Sequence, residues 1–304
     1  MVLSIAVVGC SSDKSYIPVP GIAMPGGETH TKIQFPEDLE MPETSTAKLY
    51  IQEVDIKERN RQVSEIMAVD IEQVEMTEMP GSPDMIQSYT KYELDKGRFT
   101  VENEIGYWTY DCDIDDLDFQ QLFDDPDLIY DFPSDDELTK KAVEYARALR
   151  LYDGEFSNVI IVDNTTEVWG KERVYEKDVY MYPSIDGYNV YGIFRIILKF
   201  NSLGEVKSVY KLANELGVHS DIKLKSREAV LKTLEAGEFS PSYSEELNDT
   251  VITSCHLAYY SDAIIDKKTR KSYVYPIYVL IGQGTNEYGE IQKFDIFIDA
   301  IDRE

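Results

Sequence analysis

Cysteine and histidine are scarce in this chain, which has three of each among its 304 residues. Cys255 and His256 are adjacent, and adjacent residues lack the spacing of zinc ligands. On a strand they also point to opposite faces and cannot act together as nucleophile and base. Cys112 and Cys255 either form one disulfide or remain buried thiols. A zinc site and a cysteine nucleophile are therefore not expected.

Positive charge is also scarce, because 30 basic residues face 57 acidic ones and leave a formal net charge of −27. Nucleic-acid binding needs clustered Lys and Arg against the phosphates, so we expect no nucleic-acid partner. The same charge opposes lying flat on anionic lipid but permits cationic partners or divalent ions. No apolar run approaches the ~18–20 residues that a membrane-spanning helix needs.

Motifs of catalysis are missing from the sequence as well. It contains no Gly-x-Ser-x-Gly nucleophile elbow. Gly282-Gln283-Gly284 lacks the third glycine and the following helix of a phosphate-binding loop. The 57 carboxylates are too many for any two to be singled out as a glycosidase pair. We therefore expect a protein that is not an enzyme and holds no cofactor.

The amino terminus contains the stretch SIAVVGCSS at residues 4–12. Val7-Val8-Gly9-Cys10 resembles the lipobox of bacterial lipoproteins, which implies cleavage before Cys10 and diacylglyceryl attachment to its sulfur. Each buried methylene adds about 0.8 kcal/mol, so two or three acyl chains hold a protein at a membrane. An ordinary signal peptide has a positive start and an apolar stretch of ~7–15 residues. Here nine residues precede Cys10 and none is basic, so the alternative is a chance cysteine.

Proline and glycine recur after Cys10 and predict an extended, disordered tether over residues 10–47. Residues 1–9 would be the remnant of a lipoprotein signal. Residues 48–132 are interpreted as a strand-rich N-terminal domain. Residues 133–304 are interpreted as a C-terminal α+β domain.

The N-terminal domain contains an acidic band, because no Lys or Arg occurs between Arg98 and Lys140. Four of its residues have the alternate spacing of calcium ligands: Asp111, Asp113, Asp115 and Asp116. An EF-hand needs Gly where Asp116 stands and Glu where Leu122 stands, so only a looser calcium site remains as a candidate. The alternative is a solvated acidic loop.

Three aromatic residues, Tyr107, Trp108 and Tyr110, lie beside this band. Rings next to carboxylates suit stacking on a sugar or a peptide. The alternative is a strand whose side chains divide between core and surface.

Two capped amphipathic helices are predicted, each followed by strands. Ser134 and Glu137 form a capping box at the start of the first, and Ser226 and Gly237 bound the second. Strands are predicted over residues 48–57, 158–163, 173–182, 189–200, 250–260, 272–282 and 290–301, and residues 59–71 suit either a helix or a strand. The pattern predicts an α+β fold of antiparallel sheets, in which two tandem units each lay one helix on a sheet.

The second unit carries a family resemblance over about residues 188–304. The matching residues are Ser226, Glu228, Ala229, Tyr259, Tyr260 and Pro276. They resemble the C-terminal region of the YycI/YycH-type extracytoplasmic regulators of a Gram-positive cell-wall sensor kinase, and also the PepSY-type helix-on-sheet module. Those regulators are held by a transmembrane helix, whereas this chain would be held by lipid. From its chemistry alone, Pro276 predicts an edge strand or a bulge.

These observations lead to one favoured function and two alternatives. The favoured function is a lipid-anchored lipoprotein on the outer face of the cell membrane that binds or regulates another envelope protein, such as a sensor kinase. One alternative is a cell-wall glycan hydrolase that uses carboxylates of the acidic band. The other is a substrate-capturing lipoprotein with a deep pocket between two lobes.

Overall fold

The structure is a computed structural model that describes residues 33–303, except 69, 72–73, 80–87, 95–96, 113–116, 126, 242–246, 263–264, 267 and 270. The described helices are α1 (Ile56–Met67), α2 (Leu117–Asp124), α3 (Asp135–Ala148) and α4 (Arg227–Glu235). The described strands are β1 (Thr46–Glu53), β2 (Met76–Met79), β3 (Tyr89–Leu94), β4 (Gly97–Glu102), β5 (Trp108–Asp111), β6 (Phe156–Val168), β7 (Lys171–Pro183), β8 (Val190–Gly192), β9 (Ile196–Phe200), β10 (Val206–Lys211), β11 (Glu215–Lys223), β12 (Ser240–Pro241), β13 (Asn248–Ser261), β14 (Tyr273–Thr285) and β15 (Ile291–Asp299). No described helix is both long and apolar enough to cross a membrane.

The strands form two sheets, and the predicted α+β class is confirmed. The first sheet has the order β11–β1–β14–β13–β8, with β15 beside β14 and β12 beside β15. The second sheet has the order β2–β3–β4–β5–β10–β9–β7–β6. Pairing is antiparallel except between β8 and β13.

Each of the two predicted capped helices lies on its own sheet. In α3, Leu138, Ala142 and Ala146 are buried against the second sheet, and the backbone N–H of Glu137 donates to Ser134 Oγ in the predicted capping box. In α4, Val230 packs in the core of the first sheet, and Ser226 caps the helix. Periodicity and caps are local signals, which is why both helices could be read from the sequence.

Residues 59–71, which suited either a helix or a strand, belong mostly to helix α1. The Asp55 carboxylate caps it by accepting from the backbone N–H groups of Lys57 and Glu58. Val63 of α1 then packs into the same core as α3.

The predicted boundary between residues 132 and 133 does not separate two sheets. Strand β1 pairs with β11 and β14, and β5 pairs with β10, so strands from both sides of the boundary share each sheet. Tyr50 and Trp108 lie in one core with Phe200 and Val209. Residues 48–132 therefore do not form a sheet of their own, because their pairing partners lie far along the chain.

The predicted edge position of Pro276 is wrong, because β14 is a central strand. One side of β14 pairs with β13, and its other side pairs first with β1, at Val274, and then with β15, from Ile277. The Pro276 carbonyl faces this second side, since it accepts from the Ala300 N–H at 3.3 Å. In a strand the N–H and C=O of one residue face the same way. The proline nitrogen, which has no hydrogen to donate, therefore lies between the end of the pairing with β1 and the start of the pairing with β15. It interrupts neither set of ladder hydrogen bonds.

The predicted tether is wrong from Ile33 onward, whereas residues 10–32 lie outside the described residues. Gln34 forms a parallel bridge with Val251. Four apolar side chains pack against the core of the first sheet: Ile33, Phe35, Leu39 and Met41. The Arg227 guanidinium lies 4.9 Å from the Phe35 ring centroid. Proline permits this extended path while the apolar residues between the prolines supply burial.

Replacing Phe35 by alanine tests this docking. We expect Phe35→Ala to lower the free energy of unfolding by about 2 kcal/mol, because the ring is partly buried against the core and loses its contact with Arg227. Urea denaturation measures the loss. The control is Glu40→Ala, at an exposed position of the same segment. Equal midpoints for the two variants would contradict the docking.

Candidate functional site

The residues predicted as sites do not come together in the described structure. Four of them lie outside the described residues: Cys10, Asp113, Asp115 and Asp116. Asp111 lies in β5, where its carboxylate accepts from the Tyr210 hydroxyl at 3.3 Å and lies 3.9 Å from the Arg98 guanidinium. Within the described ranges, no group of three or more His, Cys, Asp or Glu side chains is placed to hold a metal ion.

The aromatic residues beside the acidic band belong mainly to the interior. Trp108 is fully buried and packs edge-on against Phe99, with ring centroids 5.6 Å apart. Tyr107 is buried, and its hydroxyl oxygen accepts from Gln52 Nε2 at 2.6 Å. Tyr110 is partly buried against the same core as Trp108. The side chains of this strand are therefore divided between core and surface. The three rings do not form an exposed surface for stacking on a sugar or a peptide.

Cys112 and Cys255 are free thiols. Burial raises the pKa of Cys255 to about 12. At neutral pH its thiolate is scarce, so Cys255 is a poor nucleophile.

A cleft of about 410 Å³ lies where the edges of the two sheets meet. The edge strand β6 forms one wall, and the edge strand β8 contributes to the other. The side chains that give the cleft its chemistry are Ile160, Tyr182, Tyr191, Arg195, Tyr260 and Phe297. Aromatic walls with one cation resemble the composition of protein-binding surfaces more than that of an acid–base catalytic site.

Gly192 creates this cleft by ending β8. It has φ +84°, and a Cβ atom there would collide with the carbonyl oxygen of Ser261. The chain therefore leaves the first sheet at Gly192 and enters the second as β9, so the continuous strand predicted over residues 189–200 is wrong. The crossing segment includes Arg195, whose place in the cleft follows from the break.

Arg195 is held in place by two aromatic rings. Its guanidinium lies 5.1 Å from the ring centroid of Tyr180 and 5.9 Å from that of Tyr182. Its Nη1 donates to the Gly192 carbonyl at 3.2 Å and to the Tyr182 hydroxyl at 3.3 Å. The cation is therefore oriented before any ligand arrives.

Buried charges lie next to these rings along β7. Glu176 and Asp178 are both buried, and Lys199 Nζ lies 2.8 Å from the first carboxylate and 3.6 Å from the second. Asn164 Nδ2 donates to both, and the Tyr180 hydroxyl donates to Asp178 at 3.4 Å. Burial raises the pKa of Asp178. Burial alone would lower the pKa of Lys199, but the two carboxylates outweigh it and raise that pKa.

The outer edge of β6 has no strand beside it among the strands that the structure describes, since β6 pairs with β7 alone. Over its 13 residues it contains no Lys, Arg or Pro, which commonly protect sheet edges. Ile160 is 42% exposed near its middle. At the hairpin tip that follows, Trp169 is 76% exposed and has φ +53°, an unfavourable conformation for a bulky residue.

Comparison with known proteins assigns no family. No protein-family model matches the chain. No curated protein matches it either. Among solved structures, it is similar to an uncharacterized protein from Eubacterium rectale ATCC 33656, with a TM-score of 0.49, 11% identity, and coverage of 90% of this chain and 88% of that chain. A likeness at this level assigns neither family nor function.

Removing Lys199 tests the buried charge cluster. We expect Lys199→Met to lower the free energy of unfolding by about 3 kcal/mol at pH 7, because Glu176 and Asp178 stay buried and lose their main cation. The loss should shrink as the pH falls and these carboxylates become protonated. Urea denaturation at several pH values measures it.

The control is Lys140→Met, at an exposed lysine 4.0 Å from Glu144 on α3. An exposed pair contributes at most about 1 kcal/mol, so this variant should change little. A Lys199→Met variant as stable as the control would refute the supporting role of the cluster.

Proposed function

We propose that this chain is a non-enzymatic, lipid-anchored protein of the bacterial cell envelope that binds an extended segment of a partner protein along β6. The observation that carries the proposal is the unpaired edge of β6 directly beside an aromatic cleft. A partner strand added there would gain main-chain hydrogen bonds from the edge, and the cleft would select its side chains.

The edge is long enough for specific recognition. At about 3.4 Å per residue, 13 residues present roughly 40 Å of backbone. Alternate residues direct their N–H and C=O groups away from β7 and would pair with an added strand. The exposed apolar side chains Ile160 and Val162 lie midway along it.

The cleft would receive side chains from one face of the added strand. Ile160 of β6 and Tyr182 of β7 line it together with Tyr191, Tyr260 and Phe297. Tyrosine rings with an oriented arginine are typical of the residues that dominate binding energy at interfaces. An aliphatic or aromatic side chain of the partner fits this lining.

Charge favours a basic partner segment. The chain has a net charge of −27. Strand β6 contains no basic residue and contributes Glu167 as well as Asp163, whose carboxylate lies 3.1 Å from Lys177 Nζ. Opposite charge on the partner would speed association and exclude acidic competitors. The proposed occupant is therefore an extended segment with basic residues and at least one apolar side chain, supplied by an envelope protein such as a sensor kinase.

The lipid anchor rests on the likeness of Val7-Val8-Gly9-Cys10 to a lipobox. Residues 10–33 reach at most ~80 Å when fully extended. A body held by lipid at Cys10 would therefore stay near the outer face of the membrane and meet partners there.

The two alternatives have less support from the geometry. The described lining of the cleft includes no Asp or Glu, whereas glycoside hydrolysis uses a carboxylate pair. Glu176 and Asp178 form ion pairs with Lys199 rather than facing the cleft. A substrate-capturing protein would enclose its ligand, whereas this cleft continues into an open strand edge.

A charge placed on the β6 edge tests partner binding. Peptides of random sequence displayed on phage are selected against the immobilised full chain. We expect enrichment of basic, strand-forming peptides, and Ile160→Lys should weaken the best of them at least about tenfold, because a lysine there blocks edge pairing and repels the basic residues. Fluorescence anisotropy measures the affinities.

The matched control is Met76→Lys, at an exposed residue of β2, the opposite edge of the same sheet. It should leave the affinity unchanged. N-methylation of alternate peptide amides should abolish binding, and hydrogen exchange should slow at β6. The proposal fails if no peptide is enriched, if Ile160→Lys binds normally, or if protection appears away from β6.

Replacing Cys10 tests the anchor. We expect the native chain in the membrane fraction, with diacylglyceryl on the Cys10 sulfur and no preceding residues. Cys10→Ser should move it to the soluble fraction, because the acyl chains supply the membrane affinity. Fractionation and mass spectrometry of the amino terminus measure both. An unmodified thiol in a native chain that retains Met1 would refute lipidation.

A further inference from the structure

A second cavity, of about 220 Å³, lies between α1, the segment that follows α3, and the turn from β10 to β11. None of its described lining residues belongs to the cleft beside β6. Three cations line it, Arg59, Arg150 and Lys211, together with the amides of Gln62 and Asn214 and with five carboxylates: Glu53, Asp55, Glu58, Asp153 and Glu215. Its size is below the ~300–1,000 Å³ of sites for drug-sized ligands, so it suits a smaller molecule.

Lys211 is the buried donor of this cavity. Its side chain extends from the core face of β10, and the residue is only 9% exposed. Its described hydrogen bond is a long one, 3.4 Å from Nζ to Asn214 Oδ1, and no described carboxylate lies within 4.0 Å. Burial lowers the pKa of Lys211 to about 8, although the more distant carboxylates of Glu215 and Glu58 act in the opposite direction. A buried ammonium is costly unless it is paired, so this group is suited to an anionic ligand.

Gln62 supplies a buried acceptor in the same cavity. It is 2% exposed, and its Nε2 donates to the Arg150 carbonyl at 2.6 Å and to Glu58 Oε1 at 3.3 Å. These two bonds define which end is the amide nitrogen. The other end, Oε1, has no hydrogen-bond partner among the described residues. A buried acceptor without a partner carries a desolvation cost that a ligand donor would remove.

Charges at the entrance complete the site. Arg59 is partly buried, and its described hydrogen bonds go to the neutral Asn60 Oδ1. Glu58 is already occupied, because Arg61 donates to both of its carboxylate oxygens. Glu53, Asp55, Asp153 and Glu215 are exposed at the rim. Among the described residues, neither Lys211 nor Arg59 has a carboxylate within 4.0 Å, so a ligand carboxylate would supply the close partner that both sheltered cations lack.

We propose that this cavity binds a small carboxylate that also carries a hydrogen-bond donor close to the carboxylate. Lys211 and Arg59 bind the carboxylate, and Gln62 Oε1 accepts from the donor. An α-amino acid and an α-hydroxy acid share this chemistry, and the four exposed carboxylates at the rim favour the ammonium group of an amino acid. The site is independent of the β6 edge, so neither proposal depends on the other.

Calorimetric titration of the full chain tests the proposal. The probes are glycine, L-alanine, glycolate and L-lactate, with acetate and methylamine as molecules that each lack one of the two groups. We expect binding of at least one amino or hydroxy acid, with acetate and methylamine at least about tenfold weaker. If glycine binds more tightly than glycolate, the hydrogen-bond donor of the ligand is an ammonium group. If glycolate binds more tightly, the donor is a hydroxyl group. Absence of binding by all four acids at about 10 mM would overturn the proposal.

Two variants assign the binding to this cavity. Lys211→Met replaces a buried cation by an apolar side chain of similar length, so it should fold normally and abolish carboxylate binding. Gln62→Met should weaken the amino and hydroxy acids and leave the weak acetate binding unchanged. The control is Lys232→Met, at an exposed lysine of α4. Unchanged binding in Lys211→Met, or equal losses in Lys232→Met, would place the ligand elsewhere and refute the site.

Discussion

The packing of the first sheet onto the core face of the second is the constraint on which the other features depend. Tyr50 of β1 and Tyr259 of β13 pack edge-on, with ring centroids 5.5 Å apart, in the same core as Phe200 and Leu138. The Tyr50 hydroxyl donates to Asp186 at 2.5 Å, so its polar end is satisfied at the margin. Burying such large rings supplies much of the hydrophobic free energy of folding. Either sheet by itself would leave these rings exposed to water.

Both candidate sites arise at the margins of this contact. The chain passes from one sheet to the other after Gly192, and that crossing leaves the aromatic cleft between two sheet edges. On the core face, residues of α1 and Lys211 of β10 line one cavity, and Lys211 is almost fully buried. The two buried lysines differ in their surroundings, because Lys199 has two carboxylates within 4.0 Å and Lys211 has none at that distance among the described residues. A buried lysine that is paired with carboxylates supports the fold, whereas a buried lysine without a close carboxylate is suited to binding a ligand.

The elements were largely predictable, but their arrangement was not. Helices α3 and α4 have caps and apolar stripes that lie within a few residues of one another in the sequence. The change of strand partner beside Pro276 depends on β1, and the docking of Phe35 involves Arg227. Each of these partners lies more than a hundred residues away in the sequence, so periodicity could not reveal the contacts. Among the side chains of the cleft, only Tyr260 was singled out in the sequence, as one of the residues that carry the family resemblance.

The sequence by itself determined the fold class, the positions of the capped helices, the large acidic excess and the lipobox-like stretch that ends at Cys10, because each depends on composition or short spacing. Only the tertiary structure decided which strands pair, which edge stays open, and which buried polar atoms lack partners. The physical reason is that hydrogen-bond satisfaction and desolvation are properties of assembled neighbours. A lysine in β10 or a glutamine in α1 looks ordinary until the elements around it exclude water.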